Sequence, residues 1–168
     1  MPQRYDPPRG WVGTCNHYTV NKDYPYHYSS HASPSFRYRR LCELLDNPAP
    51  KRADDHWRFQ RDTLNLMARD IAPVMSRALL TYKDTETLGR ILAKWNFEDA
   101  LDQAAPAIFQ SVYRHFAFAV FEDELGEQIT APLMDNPYFW QERLRKMILD
   151  GDSPWFDDTR TADIREGG

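Results

Sequence analysis

Asn16 and Arg37 are the two residues whose types and positions could support chemistry. Asn16 follows residues 11–15, a short apolar segment that we predict to be a strand. A side-chain amide at a strand end can donate to an oxygen that becomes negative in a transition state, and losing such a donor typically lowers the rate by about 10²–10³. An asparagine at this place is also common in turns. Asn16 alone leaves both interpretations open.

Arg37 lies on the apolar side of a predicted helix. At about 100° per residue it falls between Leu41 and Leu44, whereas Arg39 and Arg40 point away from them. A guanidinium among leucines is unfavourable unless it has a partner or its head reaches a polar site. The alternative is a long aliphatic stem that carries the charge to solvent from the first turn of the helix. Both interpretations stay open at this stage.

The elements that must position these residues are mainly helical. Apolar residues recur at helical spacing in five segments, at about residues 33–47, 53–80, 86–95, 102–126 and 136–151. Ser33-Pro34 supplies an N-cap and a first-turn proline, as Asn136-Pro137 does for the last segment, which Gly151 ends. Pro73 predicts a kink or break inside the second segment. The predicted fold class is mainly α, with one short N-terminal strand and a long aromatic loop.

Composition divides the chain into three predicted parts. Residues 1–34 hold the strand and the aromatic loop, residues 35–155 form a helical domain of about five helices, and residues 156–168 are a coil tail. The first 40 residues contain six Lys or Arg and two acids, a net charge of +4. Because the whole chain carries −4, the remainder carries −8. The aromatic loop of the first part is long, and long loops in compact domains usually have a function or pack on another element.

Composition and motif spacing argue against several functions. The net charge gives no overall attraction to nucleic acid or anionic membranes, and the basic, aromatic first third contains no nucleic-acid-binding motif. His27 and His31 are four residues apart, but no carboxylate or cysteine completes a metal-binding set. No apolar stretch is long enough to span a membrane, and the N-terminus has no apolar signal core. Cys15 and Cys42 could pair or stay free.

Several separated motifs carry a resemblance to a known family. The run PPRGWVGTCNH precedes DYPY and SFRYRRL, and FQRDT, LAKWN, AAPAIF and DSPWFDD follow in order, within residues 7–158. This series resembles the penicillin amidase family, in which a "PPxGfivtaNN" strand leads into a "DYPY" loop and an arginine-rich helix start. The resemblance covers nearly the whole chain, and its specificity comes from the agreement of several motifs in one order.

The resemblance implies an N-terminal-nucleophile hydrolase that cleaves a linear amide. Its substrate would be of the β-lactam antibiotic or acyl-homoserine-lactone kind, and its location the bacterial periplasm or the cell exterior. Family members are precursors that cut themselves to expose a serine, whose own α-amine acts as base. By residue match Asn16 would donate to the oxyanion and Arg37 would orient the site. The companion position of Asn16 is often a second asparagine, but here it is His17, whose role stays open.

The resemblance also implies what this chain does not supply. The family's nucleophile serine and most of its substrate pocket lie upstream of these motifs, and later strands complete an αββα sandwich. We therefore expect an internal piece of the catalytic chain, cut in a Pro-rich coil and at the terminal REGG, inactive alone and partnered by the rest of the parent. Residues 26–28 follow the "DYP" turn without an acid, so neither calcium nor another cofactor is predicted. The alternative is a non-catalytic helical scaffold or interaction module; in both cases bare helix faces predict self-association.

Overall fold

The computed structural model describes residues 3–21 and 23–161. Within them an irregular N-terminal segment leads into seven α-helices and a short 3-10 helix, Pro154–Phe156. The α-helices are α1 (Phe36–Leu45), α2 (Ala53–Gln60), α3 (Leu66–Leu80), α4 (Glu86–Ala93), α5 (Ala105–Leu125), α6 (Glu127–Met134) and α7 (Gln141–Asp150). The prediction of a mainly α fold is confirmed.

One apolar core joins most of the helices. The central helix is α3, which packs against α1, α4 and α7, while α5 packs against α4, α6 and the 3-10 helix. A row of four aromatic rings crosses this core, with successive centroids 5.6, 5.8 and 5.7 Å apart: Trp95, Phe109, Tyr113 and Trp140. Aromatic side chains of this size bury the largest apolar areas, so this row contributes much of the stability of the helical part.

Residues 11–15 do not form the predicted strand. A strand needs a neighbour to share its backbone hydrogen bonds, and the described residues contain only one isolated antiparallel bridge, between Leu64 and Glu98. The segment lies instead along α1. Gly13 permits the close approach, because a Cβ atom at this position would lie 2.9 Å from Cδ2 of Leu41.

The second predicted helix is divided, but not at Pro73. Helix α3 runs through this proline without a break, and Pro73 lies on the exposed face of the helix, where its ring does not disturb the core. The break falls at residues 61–65. There the Asn65 side chain accepts the Ala68 N–H at 2.9 Å and so begins α3, while its backbone N–H donates to the Phe97 carbonyl at 2.8 Å.

Other helix boundaries also differ from the sequence-based prediction. The residue before α1 is Ser35 rather than Ser33, and the last helix begins at Gln141, after a turn that contains Pro137. Helix α6 has only eight residues and an internal proline, so its periodicity was too short to predict. Gly126 and Gly151, with φ of 74° and 72°, end α5 and α7 as predicted.

The predicted coil tail is anchored where it begins. The Trp155 ring packs against Phe121 with centroids 5.6 Å apart. The backbone N–H and the hydroxyl group of Thr159 donate to the carboxylate and the carbonyl group of Asp123, each at 3.1 Å. Residues 162–168 lie outside the described residues, and the three-part division of the chain stays a prediction.

Candidate functional site

The N-terminal arm, residues 7–16, brings Asn16 to the start of α1. Its beginning is held at the other end of that helix, where Arg9 donates to one carboxylate oxygen of Asp46 at 2.8 Å and the indole N–H of Trp11 donates to the other at 2.9 Å. The Arg9 guanidinium also lies over the Trp11 ring, 4.3 Å from its centroid. The arm therefore runs antiparallel to α1 and ends beside the first helical turn.

Arg37 connects this arm to the helix through a single guanidinium nitrogen. Its Nη2 donates to the Cys15 carbonyl at 2.9 Å, to Asn16 Oδ1 at 3.0 Å and to Ser33 Oγ at 3.1 Å. The head group thus reaches a polar cluster. Of the two alternatives that the sequence leaves open, a polar partner or a charge carried to solvent, the structure shows the first. Within the described residues, Arg37 has no carboxylate partner. Its positive charge is therefore hydrogen-bonded but not neutralised.

The contact with Arg37 determines which way the Asn16 amide points. A guanidinium group only donates hydrogen bonds, so the amide atom that faces it must be Oδ1. The amide nitrogen then points elsewhere, and no residue in the described part of the chain accepts from it. Asn16 has a φ of 59°, in the left-handed region that asparagine tolerates better than most residues. Asn16 is exposed, so this donor is accessible.

Ser33 closes the aromatic loop against Asn16. The Ser33 backbone N–H donates to the Asn16 carbonyl at 2.6 Å, so the chain leaves and re-enters the site at one point. The loop between them packs on itself through edge contacts of Tyr24 and Tyr28 and on Phe139 through the ring of His31, 5.0 Å away. In the parts of the chain that the structure describes, no three His, Cys, Asp or Glu side chains come together as a metal site.

His17 is held beside Asn16 by two contacts. Its ring stacks on Tyr38 with centroids 3.5 Å apart, and its Nδ1 accepts the Cys15 backbone N–H at 3.4 Å. Burial lowers the pKa of His17, which favours the neutral ring. With Nδ1 as acceptor, the proton of the neutral ring is on Nε2. Cys15 and Cys42, whose state the sequence left open, are both free thiols.

Ion pairs fasten α1 to the helices that carry the core. Arg39 donates to both carboxylate oxygens of Asp70 in α3, at 2.5 and 3.0 Å. Arg145 in α7 donates to the same carboxylate at 3.3 Å and to Glu142 at 2.8 Å. Helical spacing places Arg39 away from the apolar face. It does not predict the partner of Arg39, because Asp70 lies 31 residues further along the chain. This network fixes the helix from which Arg37 extends.

Glu142 caps the start of α1 from a different helix. Its carboxylate accepts the Ser35 backbone N–H and the Ser35 hydroxyl, each at 3.1 Å. A carboxylate is stabilised there because the first turn has unpaired N–H groups and a positive dipole end. Burial alone would raise the pKa of Glu142, but hydrogen bonds from Arg145 and Ser35 outweigh it and hold that pKa below its ordinary value.

A second set of pairs continues the network toward α2. Arg40 donates to both oxygens of Asp62, at 2.8 and 2.6 Å, and to Glu43 at 2.9 Å; Arg69 from α3 also donates to Glu43. Between these pairs and Arg37 lies an open groove of about 310 Å³. Its apolar wall comes from α1, from α2 and from the start of α3: Phe36, Leu41, Leu44, Phe59, Leu64 and Leu66.

The described residues thus place an asparagine amide donor beside an arginine that has no carboxylate partner among them. The sequence model of one family, described as penicillin amidase, matches residues 1–166. The chain therefore belongs to the penicillin amidase family, which confirms the resemblance and indicates amide-hydrolase ancestry. Comparisons with curated proteins and with solved structures gave no match. Among the described residues, no helix is both long and apolar enough to cross a membrane.

Proposed function

We propose that this chain supplies the oxyanion-binding asparagine of an amide hydrolase. The observation that carries the proposal is the 3.0 Å hydrogen bond from Arg37 Nη2 to Asn16 Oδ1, because it turns the amide nitrogen outward. When a nucleophile attacks an amide, the carbonyl oxygen becomes negative. Fixed N–H donors aimed at that oxygen stabilise the transition state more than the substrate. The outward-facing Nδ2 group of Asn16 is such a donor.

Arg37 acts on the oxyanion through Asn16. Its guanidinium polarises the amide by donating to Oδ1, and this polarisation strengthens donation from Nδ2 on the other side of the same amide. The charge of Arg37 also adds positive potential at the place where negative charge develops, since its described partners are all neutral oxygens. Arg37 is therefore a positioning residue in this proposal, and Asn16 is the catalytic one.

The rest of the active site would come from polypeptide outside these 168 residues. The nucleophile is an N-terminal serine, exposed by self-cleavage of a precursor, with its own α-amine as base. The substrate is a linear amide such as the side chain of a β-lactam or an acyl-homoserine lactone. The reaction takes place in the periplasm or outside the cell and needs neither calcium nor another cofactor from this chain. The remaining chains of the parent are its partners.

The substitution Asn16→Ala in the intact precursor tests this function. We expect kcat on phenylacetyl p-nitroanilide to fall by about 10²–10³, because one oxyanion donor is lost. Self-cleavage, followed by gel electrophoresis, should stay measurable, so that turnover is expressed per processed molecule. The control is Asn47→Ala, at an exposed turn asparagine beyond the other end of α1. Turnover of Asn16→Ala close to that of the unchanged enzyme would contradict the proposal.

A second candidate, a helical scaffold without a catalytic role, is favoured by the closed core of α3, α4, α5 and α7. That core and the ion pairs of α1 hold together without any contribution from Asn16. Under both hypotheses the isolated 168-residue chain should show no amidase activity above background. The Asn16→Ala precursor separates them, since a scaffold would keep full turnover. A clear rate from the isolated chain would contradict the placement of the nucleophile outside it.

A further inference from the structure

We propose that Ser33 is a positioning residue for Asn16, which it holds in the orientation that oxyanion binding requires. Ser33 contacts both members of the candidate site, Asn16 through its backbone and Arg37 through its hydroxyl group. The inference rests on the proposed function above, and it concerns a residue that the sequence had suggested only as a helix cap.

The backbone contact supports the unusual conformation of Asn16. A φ of 59° lies in a region that few non-glycine residues adopt, and even for asparagine the neighbouring contacts help to hold it there. Two contacts do so: the Ser33 N–H donates to the Asn16 carbonyl at 2.6 Å, and the Asn16 N–H donates to Thr14 Oγ1 at 3.3 Å. Ser33 therefore fixes the peptide group that follows Asn16, and Thr14 the one that precedes it.

The hydroxyl contact orients Arg37. Ser33 Oγ donates to the Pro34 carbonyl at 3.3 Å, so its lone pairs are available to Arg37 Nη2, 3.1 Å away. The other two acceptors of Nη2, the Cys15 carbonyl and Asn16 Oδ1, both belong to the arm. Among the described residues, Ser33 is the one partner that ties the guanidinium to the returning end of the loop. Without this tie the arginine and the Asn16 amide can rotate together.

The contacts of the buried Ser33 hydroxyl group account for a serine at this position without a role as a helix cap. The residue is 8% exposed, and a buried hydroxyl must be satisfied by partners. Both of its capacities are used, one on Pro34 and one on Arg37. The residue that precedes α1 is Ser35, whose hydroxyl is occupied by Glu142. Ser33 is therefore placed for the site and not for the start of the helix.

The side-chain amide of Asn16 reports its positioning directly. Its ¹H–¹⁵N signals in the protein are assigned by their loss in Asn16→Ala. We expect Ser33→Ala to shift and broaden them, whereas Ser30→Ala, at an exposed serine of the same loop, leaves them in place. Ser33→Cys keeps the size of the side chain but has a weak acceptor, so it should act like the alanine variant and replaces it if that variant does not fold. Unchanged Asn16 signals in a folded Ser33 variant would overturn the proposal.

A double-mutant cycle in the self-cleaved enzyme gives the kinetic test. We expect Ser33→Ala to lower kcat by about 10–100-fold with KM changed by less than about threefold, since a misplaced donor affects mainly the transition state. In the Asn16→Ala background the same substitution should have no further effect. An equal fall in both backgrounds would mean that Ser33 acts independently of Asn16. If Asn16→Ala itself leaves kcat unchanged, the proposed function fails, and the amide signals still decide whether Ser33 orients Asn16.

Discussion

Helix α1 carries arginines in two different surroundings. Toward α2 and α3, Arg39 and Arg40 each donate to both oxygens of an aspartate, Asp70 and Asp62. Toward the N-terminal arm, the acceptors of Arg37 within the described residues are all neutral oxygens. The paired arginines bring no net charge to their surroundings and fix the helix, whereas Arg37 keeps a positive charge in place beside Asn16. Arginine side chains of one helix thus have two roles: Arg39 and Arg40 fasten the helix, and Arg37 provides a positive charge.

The position of Arg37 depends on the ion pairs of the other arginines. A guanidinium with neutral partners is held less strongly than one in a bidentate ion pair, because the ion pair adds attraction between opposite charges and two parallel hydrogen bonds that fix the planar head group. The position of Arg37 therefore relies on the helix that Arg39, Arg40 and the Glu142 cap fasten to the core. Because several pairs share this task, the loss of one should lower the stability of the fold, while α1 and Arg37 keep their place in the molecules that remain folded.

The largest effect is expected from replacing each arginine by methionine, which keeps an apolar stem. Arg37→Met should lower kcat of the processed enzyme by about 10²-fold, because the Asn16 amide loses its orientation. Its Tm should change little. Arg39→Met should do the reverse: turnover per folded molecule is kept, while the free energy of unfolding falls by about 1–3 kcal/mol and Tm by several degrees. Calorimetry measures Tm and the unfolding energetics, and p-nitroanilide hydrolysis measures kcat, on the same samples.

Similar behaviour of the two variants would contradict the different roles of Arg37 and Arg39. A large fall in Tm for Arg37→Met with turnover preserved would make Arg37 another structural tie. A loss of turnover in Arg39→Met as large as in Arg37→Met, with Tm unchanged, would extend the site to the paired arginines.

An intermediate effect is expected from Asp70→Asn, and it should depend on pH. Burial acts to raise the pKa of Asp70, but the hydrogen bond and charge of Arg39 and the charge of Arg145 outweigh it, so the folded-state pKa is depressed. A depressed carboxyl pKa contributes stability that is complete above the unfolded value of about 3.9 and is lost as pH falls through the folded value. Asp70→Asn should therefore cost about 1–3 kcal/mol at pH 7 and progressively less as pH falls below about 3.9.

Urea unfolding at a series of pH values measures this dependence. The control Asp84→Asn changes an exposed aspartate in the turn before α4 and should stay within about 0.5 kcal/mol of the unchanged protein. A cost of Asp70→Asn that is the same at pH 3 and pH 7 would show that its carboxylate charge does not fasten α1.

The sequence was sufficient for elements that are local. The apolar spacing located α1, α4, α5 and α7, and Gly126 and Gly151 marked two helix ends, because periodicity and caps depend on residues within one turn. The helix break at residues 61–65 was not predictable, since it depends on Asn65 bonding to Phe97. The prediction of a strand at residues 11–15 is wrong for the same kind of reason, because a strand forms only where a second strand shares its hydrogen bonds.

The candidate site divides in the same way. Residue type and helical position singled out Asn16 and Arg37, but only the fold joins them, across 21 residues. The sequence predicts Ser33 as the N-cap, because a serine before a proline and a helix has that pattern, but the residue that precedes α1 is Ser35. The ion pairs of α1 were missed for a further reason. Glu142 lies 107 residues from Ser35, and no periodicity within an element relates such partners.

The smallest effect is expected at the outer end of the network, where Arg69 pairs with Glu43. Both side chains are about one-third exposed, at 36% and 35%, so their charges remain largely in solvent. Arg69→Ala should therefore cost only about 0.2–1 kcal/mol. In 1 M salt, where the screening length is about 3 Å, that cost should disappear, while the cost of Asp70→Asn, whose side chain is 14% exposed, should largely remain. Urea unfolding in low and high salt gives both values. A large, salt-insensitive cost for Arg69→Ala would place this pair among the ties that fix α1, since screening acts on exposed charges and not on enclosed ones.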